Sequence, residues 1–173
     1  LPELIESGIA SFKIEGRMKT ALYVATVART YRKAIDDYKQ DPELYRKNMP
    51  WYLDQISNCT YRQFTTGFFF GKPNEDSQIY DSNTYVKEYT YLGIIGEEKE
   101  GTYRIEQRNK FSVGETIEVM KPNGENVEVT VKRILTEDGV EQESAPHPKQ
   151  KLKVALSAPC EQYDLLRMES EKN

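Results

Sequence analysis

A charged segment near the beginning of the chain has residue types and a spacing that suit anion binding. Residues 11–19 read Ser-Phe-Lys-Ile-Glu-Gly-Arg-Met-Lys, so apolar residues alternate with Lys13 and Glu15. A period of two places those two side chains on one face of a short strand. Arg17 and Lys19 follow just before a long helical pattern, whose N-terminus also favours negative charge. The segment therefore predicts a site for a phosphate or a small-molecule carboxylate.

Glu15 and Arg17 are the candidate catalytic residues of this segment, and Lys13, Arg17 and Lys19 are candidate anion-binding residues. The planar guanidinium of Arg17 can make two parallel hydrogen bonds to a carboxylate or a phosphate. Glu15 would then orient Arg17 or a neighbouring base. A second interpretation stays open, in which the segment is an edge strand whose polar face is simply solvated.

A second candidate anion site lies in residues 61–68, where Arg62, Thr65 and Thr66 combine a guanidinium with two hydroxyls beside a glycine. The alternative is a packed turn in which Arg62 forms an ion pair. This stretch belongs to a predicted linker over residues 58–84, which is rich in Thr, Gly, Asn and aromatic residues. The linker should pack on other parts of the chain, because Phe68, Phe69 and Phe70 are too apolar to be left in water.

Three tyrosines of the C-terminal part, Tyr89, Tyr91 and Tyr103, could stack nucleobases. The formal net charge of the chain is −4, with 24 basic and 28 acidic residues. Strong nucleic-acid binding by the acidic C-terminal part alone is therefore not expected.

Cysteine and histidine usage argues against a metal site and against a hydrolytic triad. The chain has two cysteines, Cys59 and Cys160, which cannot furnish the four ligands of a structural zinc site or an iron–sulfur cluster. Its one histidine, His147, lies between two prolines in a predicted loop. We therefore expect no metal site and no cofactor in this chain, and no Ser-His-Asp or Cys-His pair.

The most regular pattern predicts a helix over residues 21–39, capped by Thr20. Apolar residues recur at helical spacing along one face, namely Val24, Val27, Ala28, Tyr31, Ile35 and Tyr38. The opposite face carries mostly charges, at Arg29, Arg32, Lys33, Asp36 and Asp37. Shorter helices are predicted at residues 1–8, which Gly8 ends, and at residues 42–48 and 50–57. A strand over residues 11–16 that leads into the long helix is typical of one βα unit in a parallel sheet.

Residues 85–169 show short alternating strands and turns, which predict a small closed antiparallel barrel of about six strands. The inward-facing residues of the pattern are Tyr103, Ile105, Ile117, Val119, Val127, Val129, Val131, Leu152 and Val154. Residues 122–124 and 138–139 supply turns. The sequence thus predicts an α+β chain with a βα end over residues 1–57, the linker 58–84 and a β-barrel over 85–173. Since one βα unit cannot form a core alone, the apolar helix face should meet the linker, the barrel, a rearranged N-terminal segment or a second copy.

Two strings, in the same order along the chain, resemble peptidase family U32. The first is residues 11–19 with its continuation through residues 23–25 and 31–36, and the second is residues 62–68. The resemblance implies that residues 1–57 are the last βα unit of a TIM-like barrel. It also implies that the C-terminal barrel is similar to the β-barrels of translation factors.

The family is named for collagenase-like peptidase activity, and some members are implicated in hydroxylation of tRNA or ribosomal RNA with prephenate and an iron–sulfur cluster. The resemblance therefore implies a cytoplasmic, non-membrane protein that forms 5-hydroxyuridine at the tRNA wobble position. It would have RNA as a partner and would form a homo- or hetero-oligomer with a related subunit. The alternatives are a metal- or nucleophile-dependent peptidase, or a non-catalytic barrel that binds RNA, the ribosome or a partner subunit. Because the family's cluster cysteines lie upstream of the strand at residues 11–16, we expect this chain alone to be inactive and to bind no iron.

Overall fold

The computed structural model of the chain describes residues 1–59, 68, 71–72 and 89–170. Its helices are α1 (Pro2–Glu6), α2 (Ala21–Gln40) and α3 (Pro42–Ser57). Its strands are β1 (Tyr89–Lys99), β2 (Thr102–Glu106), β3 (Thr116–Met120), β4 (Asn126–Thr136), β5 (Glu141–Gln142), β6 (Lys151–Leu156) and β7 (Leu165–Glu169). All described helices therefore precede all described strands.

The strands form a closed antiparallel barrel. They are hydrogen-bonded in the order β3-β7-β1-β2-β6-β4-β5, and an additional pairing of β3 with β4 closes the ring. The short strand β5 pairs antiparallel with β4 and lies outside that ring. Closure gives the backbone groups of both edge strands a partner, and it confirms the barrel that the alternating pattern predicted.

The barrel core is apolar and follows the predicted register. Of the predicted inward-facing residues, all except Val127 are buried, and Val127 is half-buried against the same core. Phe111, which lies in the loop before β3, adds a fully buried ring to this core. The predicted turns are also present, because Gly124 and Gly139 have φ values of +98° and +85°, which glycine adopts without steric cost.

The N-terminal segment differs from the prediction. Residues 9–16 have no regular secondary structure, and no strand in the described ranges pairs with them. The predicted strand at residues 11–16 is therefore not formed, because a single strand has no ladder partner here. Gly8 does end α1, with a φ of +77°.

Residues 42–57 form one helix, α3, rather than the two that were predicted. Pro50 lies inside this helix. It has no N–H to donate to the carbonyl of Arg46, four residues earlier, and this was the reason to predict a break. The helix continues because Pro50 lies on its exposed side, while Tyr52 and Gln55 anchor its buried side.

Helix α2 begins where the Thr20 hydroxyl accepts a hydrogen bond from the Tyr23 backbone N–H at 3.2 Å, as predicted. Of the predicted apolar face, only Val27 is fully buried. The buried residues are Leu22, Thr26, Val27, Arg29, Thr30, Ala34 and Asp37. Val24 and Tyr31, which the pattern placed on the buried face, are each 40% exposed. We call the side that carries Leu22, Thr26, Arg29, Thr30 and Asp37 the inner side, and the side that carries Val24, Ala28, Tyr31 and Ile35 the outer side.

The inner side of α2 packs on the outer face of the barrel. Leu22 and Ala25 contact a cluster of Tyr89, Tyr91, Met120 and Leu165, and the Thr26 hydroxyl donates to Met120 Sδ at 3.4 Å. Along the outer side, residues 1–15 and α2 enclose a groove of about 1010 Å³. An N-terminal segment thus lies along the outer side, which is one of the expected arrangements, and self-association stays a prediction.

Candidate functional site

The charged segment ahead of α2 is an exposed turn. The Lys19 backbone N–H donates to the Gly16 carbonyl at 2.9 Å, and the side chains of Lys13, Glu15, Arg17 and Lys19 are all exposed. Because Thr20 caps the helix immediately afterwards, Arg17 and Lys19 lie next to the positive end of the α2 dipole. The four predicted residues thus lie in one exposed segment, residues 13–19, which we call the cationic turn.

Glu15 positions the backbone of this turn rather than the guanidinium of Arg17. Its Oε1 accepts a hydrogen bond from the Arg17 backbone N–H at 3.0 Å, and its Oε2 lies 4.0 Å from Lys13 Nζ. Within the described residues, the Arg17 guanidinium has no ion pair. Lys19 Nζ lies 5.2 Å from the centre of the Tyr23 ring, a cation–π distance. This arrangement can offer an exposed guanidinium to an anion, and the roles of all four residues stay predictions.

The second candidate site, formed by Arg62, Thr65 and Thr66, lies outside the described residues, as do Phe69 and Phe70. Phe68 is described, and it is 78% exposed. The prediction that Phe68 would be packed is therefore wrong.

The predicted base-stacking tyrosines are largely covered. Tyr91 and Tyr103 are each 9% exposed, so the prediction is wrong for these two rings. The Tyr103 hydroxyl accepts a hydrogen bond from the Cys160 backbone N–H at 2.9 Å. Tyr89 lies against a guanidinium, with the Arg167 Cζ 3.9 Å from its ring centre. The reason is that α2 covers the barrel face on which Tyr89 and Tyr91 lie, whereas Tyr103 belongs to the barrel core.

Tyr163 is the exposed aromatic residue that the sequence did not reveal. It lies in the connection between β6 and β7 and is 70% exposed. Its φ of +77° is unusual for a bulky residue. Neither feature has a local sequence signal, because both depend on how the connection pairs with β1 in space.

A second polar cluster lies between α2, α3 and the barrel, and it is structural. Arg29 Nη1 donates to the Lys121 and Glu125 carbonyls at 3.0 and 3.3 Å and to Asn126 Oδ1 at 2.8 Å, and Nη2 donates to Gln55 Oε1 at 2.5 Å. Burial, with a smaller contribution from Arg167, lowers the pKa of Arg29 to about 10, so this residue remains charged at neutral pH. On the neighbouring strands, Arg167 Nε donates to Glu118 Oε1 at 2.5 Å.

The two thiols are not activated as nucleophiles or as metal ligands. Burial raises the pKa of the Cys59 thiol, and burial together with Asp164 raises the pKa of the Cys160 thiol to about 11. Within the described ranges, no group of three or more Cys, His, Asp or Glu residues could hold a metal ion. An iron–sulfur cluster requires several thiolate ligands. The donor set of this chain therefore does not fit the cluster that the family resemblance implies.

These observations describe a helical segment with an exposed cationic turn, docked on a closed antiparallel barrel. The chain belongs to peptidase family U32. The model of Peptidase family U32 matches residues 1–79, and the model of the Peptidase family U32 C-terminal domain matches residues 87–167. The first match includes the cationic turn, and the second covers nearly the whole barrel.

Several characterised or named proteins are similar to this chain. It is 37% identical to tRNA hydroxylation protein P1 of Bacillus subtilis, over 96% of this chain and 40% of that protein. It is 33% identical to tRNA hydroxylation protein P of Escherichia coli, over 83% of this chain and 31% of that protein. It is 28% identical to a collagenase of Porphyromonas gingivalis, over 69% of this chain and 34% of that protein.

The chain spans less than half the length of these relatives. None of the helices in the described ranges has the length and hydropathy that crossing a bilayer would require.

Proposed function

We propose that this chain is part of a longer protein that hydroxylates uridine in tRNA, at the wobble position. The observation that carries the proposal is the similarity to tRNA hydroxylation protein P1, which extends over 96% of this chain and so includes both the cationic turn and the barrel. The exposed side chains of Lys13, Arg17 and Lys19 support it, because RNA is bound largely through cations that meet its phosphates. Modification of tRNA would take place in the cytoplasm.

The rest of the longer protein would supply what this chain lacks. We assign the iron–sulfur cluster and the prephenate site to that upstream part, since the two thiols here do not fit a cluster. Residues 1–57 would then complete a TIM-like barrel, and the C-terminal barrel would be of the translation-factor type. In that setting residues 11–16 would gain the strand partners that they do not have among the described residues.

Within the cationic turn, Arg17 would hold the anion, either a substrate carboxylate or an RNA phosphate. Glu15 would keep the backbone of the turn in place through its hydrogen bond from the Arg17 N–H. Lys19 would add positive charge at the start of α2. The guanidinium is better suited than an ammonium group, because its planar fork matches two oxygens of the ligand.

Replacement of Arg17 by Lys in the longer protein tests this role. We expect the rate of uridine hydroxylation to fall by about 10- to 150-fold, which corresponds to about 1.5–3 kcal/mol for one charge-assisted hydrogen bond. The melting temperature should change little, because the side chain is exposed. Hydroxylated uridine in tRNA is measured by mass spectrometry after nuclease digestion.

Arg32→Lys is the matched control, because Arg32 is also exposed on the helical part but already pairs with Asp36. It should keep the full rate. Wild-type turnover in Arg17→Lys would remove the cationic turn from the proposed site. Absence of uridine hydroxylation by the wild-type longer protein would overturn the proposed function itself.

A peptidase is the second candidate function, and the similarity to a collagenase favours it. The described residues offer it no activated nucleophile, since both thiol pKa values are raised and His147 lies exposed in a loop. A peptidase site would therefore have to lie elsewhere in the longer protein. Gelatin cleavage by the longer protein, without uridine hydroxylation, would favour this second function. We expect neither activity from this chain alone.

A further inference from the structure

The part of the barrel that α2 leaves uncovered carries a groove along β1, β2 and β6. Its volume is about 860 Å³. Side chains that alternate with the core residues of β2 and β6 line it, and these are Arg104, Glu106, Lys151 and Lys153. We refer to this surface as the β2–β6 groove.

Cations lie opposite each other in the middle of the β2–β6 groove. Arg104 and Lys153 are cross-strand partners in the ladder between β2 and β6, and like charges in that position are unfavourable. Glu137 is the acidic neighbour of both. Its Oε1 lies 3.5 Å from Arg104 Nη2, and its backbone carbonyl accepts a hydrogen bond from Lys153 Nζ at 2.9 Å. Glu137 therefore contacts both cations, but its carboxylate faces only Arg104.

The remaining charges make one end of the groove more acidic than its middle. Lys151 lies opposite Glu106, but the Glu106 carboxylate is 2.8 Å from Arg108 Nη2, a residue that does not line the groove. Glu97 and Glu100 lie with Lys99 at the β1–β2 turn. An anionic ligand would therefore follow the middle of the groove and avoid that turn.

Tyr163 borders this groove, and its backbone has a positive φ that tyrosine rarely adopts. Its backbone N–H donates to the Ile95 carbonyl at 2.8 Å, which fixes the β6–β7 connection on β1. The connection leaves the ring 70% exposed beside Ile94, which is 36% exposed. Glycine would adopt the φ of +77° without steric cost. An exposed ring held in a disfavoured backbone conformation is characteristic of a functional position.

We propose that the β2–β6 groove binds single-stranded RNA, with a nucleobase stacked on Tyr163 and phosphates contacted by Arg104, Lys151 and Lys153. The proposal rests on the proposed function, because it names the surface through which this chain would hold an unpaired part of its tRNA. An exposed ring next to a short row of cations is the combination that single-stranded nucleic acids bind. The acidic turn limits the contact to a few nucleotides.

Fluorescence anisotropy of a labelled single-stranded RNA oligonucleotide with the whole chain tests the stacking contact. Tyr163→Gly removes the ring and suits the local φ, so circular dichroism should show an intact fold. We expect its dissociation constant to rise roughly 5- to 150-fold, the range for loss of one stacked base. Tyr163→Trp keeps an aromatic face and should bind within a factor of about three of the wild type.

Lys153→Gln tests the phosphate contact through the salt dependence of binding. The slope of log K against log salt should become shallower by about one, because one phosphate contact is lost. Lys47→Gln is the matched control, since Lys47 is exposed on α3 and does not line the groove. Its slope should equal that of the wild type.

Equal RNA affinity of Tyr163→Gly and the wild type would overturn the proposal, and so would no measurable RNA binding by the wild-type chain. A protein partner that binds the wild type but not Tyr163→Gly, with RNA affinity unchanged, would also overturn it. The failure of the proposed function is distinct, because it is measured as loss of uridine hydroxylation in the longer protein. If the longer protein hydroxylates uridine but this chain binds no RNA, the proposed function is retained and only the role of the β2–β6 groove is overturned.

Discussion

The two sides of helix α2 reverse the usual relation between polarity and burial. The inner side is buried and carries Arg29 and Asp37, which are each 6% exposed. The outer side is more apolar, yet Val24 and Tyr31 on it are each 40% exposed. The side of α2 that docks on the barrel and α3 is therefore the one that finds hydrogen-bond partners there.

The inner side can be buried because most polar atoms of its charged groups have hydrogen-bond partners, Arg29 Nε being the exception. Arg29 replaces its hydration shell with two backbone carbonyls and two side-chain oxygens. Asp37 accepts hydrogen bonds from Tyr52 Oη at 2.5 Å, Asn48 Nδ2 at 2.8 Å and Lys33 Nζ at 3.2 Å. A buried charge without such partners would be costly. The inner side should therefore be sensitive to loss of single groups, and the outer side should not.

Arg29→Met should have the largest effect on this comparison. It removes the hydrogen bonds that hold the β3–β4 turn on α2 and leaves Gln55 Oε1 buried without its donor. We expect the free energy of unfolding to fall by about 2–4 kcal/mol, the range for loss of a buried charged hydrogen-bonding group. Urea denaturation followed by Trp51 fluorescence measures it, since Trp51 lies 5.8 Å from the Arg29 Cζ.

Arg32→Met is the control for Arg29→Met, because Arg32 is one turn along α2 but exposed. Its free energy of unfolding should fall by less than about 1 kcal/mol, because an exposed ion pair contributes little to stability. Equal losses in the two variants would contradict the distinction between the inner and outer sides.

Asp37→Asn should cost about 1.5–3 kcal/mol at neutral pH, because hydrogen bonds to a charged acceptor become weaker. Burial by itself raises the pKa of Asp37, but the hydrogen bonds from Tyr52, Asn48 and Lys33 outweigh it and lower the pKa below 3.8. A carboxyl with a lowered pKa stabilises the fold above its unfolded-state pKa, and this stabilisation is lost as pH falls through the folded-state value. The stability difference between the wild type and Asp37→Asn should therefore shrink below about pH 4.

Chemical denaturation of both proteins between pH 7 and pH 2.5 gives that difference directly. Asp36→Asn is the matched control, because Asp36 is exposed on the same turn of α2 and pairs only with Arg32 among the described residues. A constant difference between wild type and Asp37→Asn across this range would show that the Asp37 carboxylate contributes no stability.

Val27→Ala and Val24→Ala compare the same substitution at a buried and an exposed position of α2. Val27 is 7% exposed, so its truncation should cost about 1–2 kcal/mol. Val24 is 40% exposed, so its truncation should lower the free energy of unfolding by less than about 0.5 kcal/mol. Thermal melting of the two variants measures the contrast. A larger loss for Val24→Ala would mean that the outer side is covered in solution, as self-association would require.

The barrel was predictable because its pattern is local. Residues 127–131 alternate with a period of two, and the pleat of a strand converts that period into one buried face. Gly124 and Gly139 mark the turns, because both have a positive φ that other residues adopt only at a steric cost. The pairing of β3 with β4, which closes the barrel, is also local, because a short turn joins the two strands. In the same way, the cap at Thr20 and the extent of α2 depend on residues within one or two turns of the chain.

The alternating strands of the barrel, the cap and extent of α2 and the position of Lys13, Glu15, Arg17 and Lys19 just ahead of that helix could be predicted, because each depends on neighbours a few residues apart. The remaining features depend on contacts between distant parts of the chain. The partners of Arg29 on the β3–β4 turn lie more than 90 residues away, so the helical period could not show that the charged side would be buried. Tyr163 is exposed through a pairing with β1, some 68 residues earlier. Long-range hydrogen bonds have no local sequence signal, and they set both the docking of α2 and the surface that the barrel leaves open.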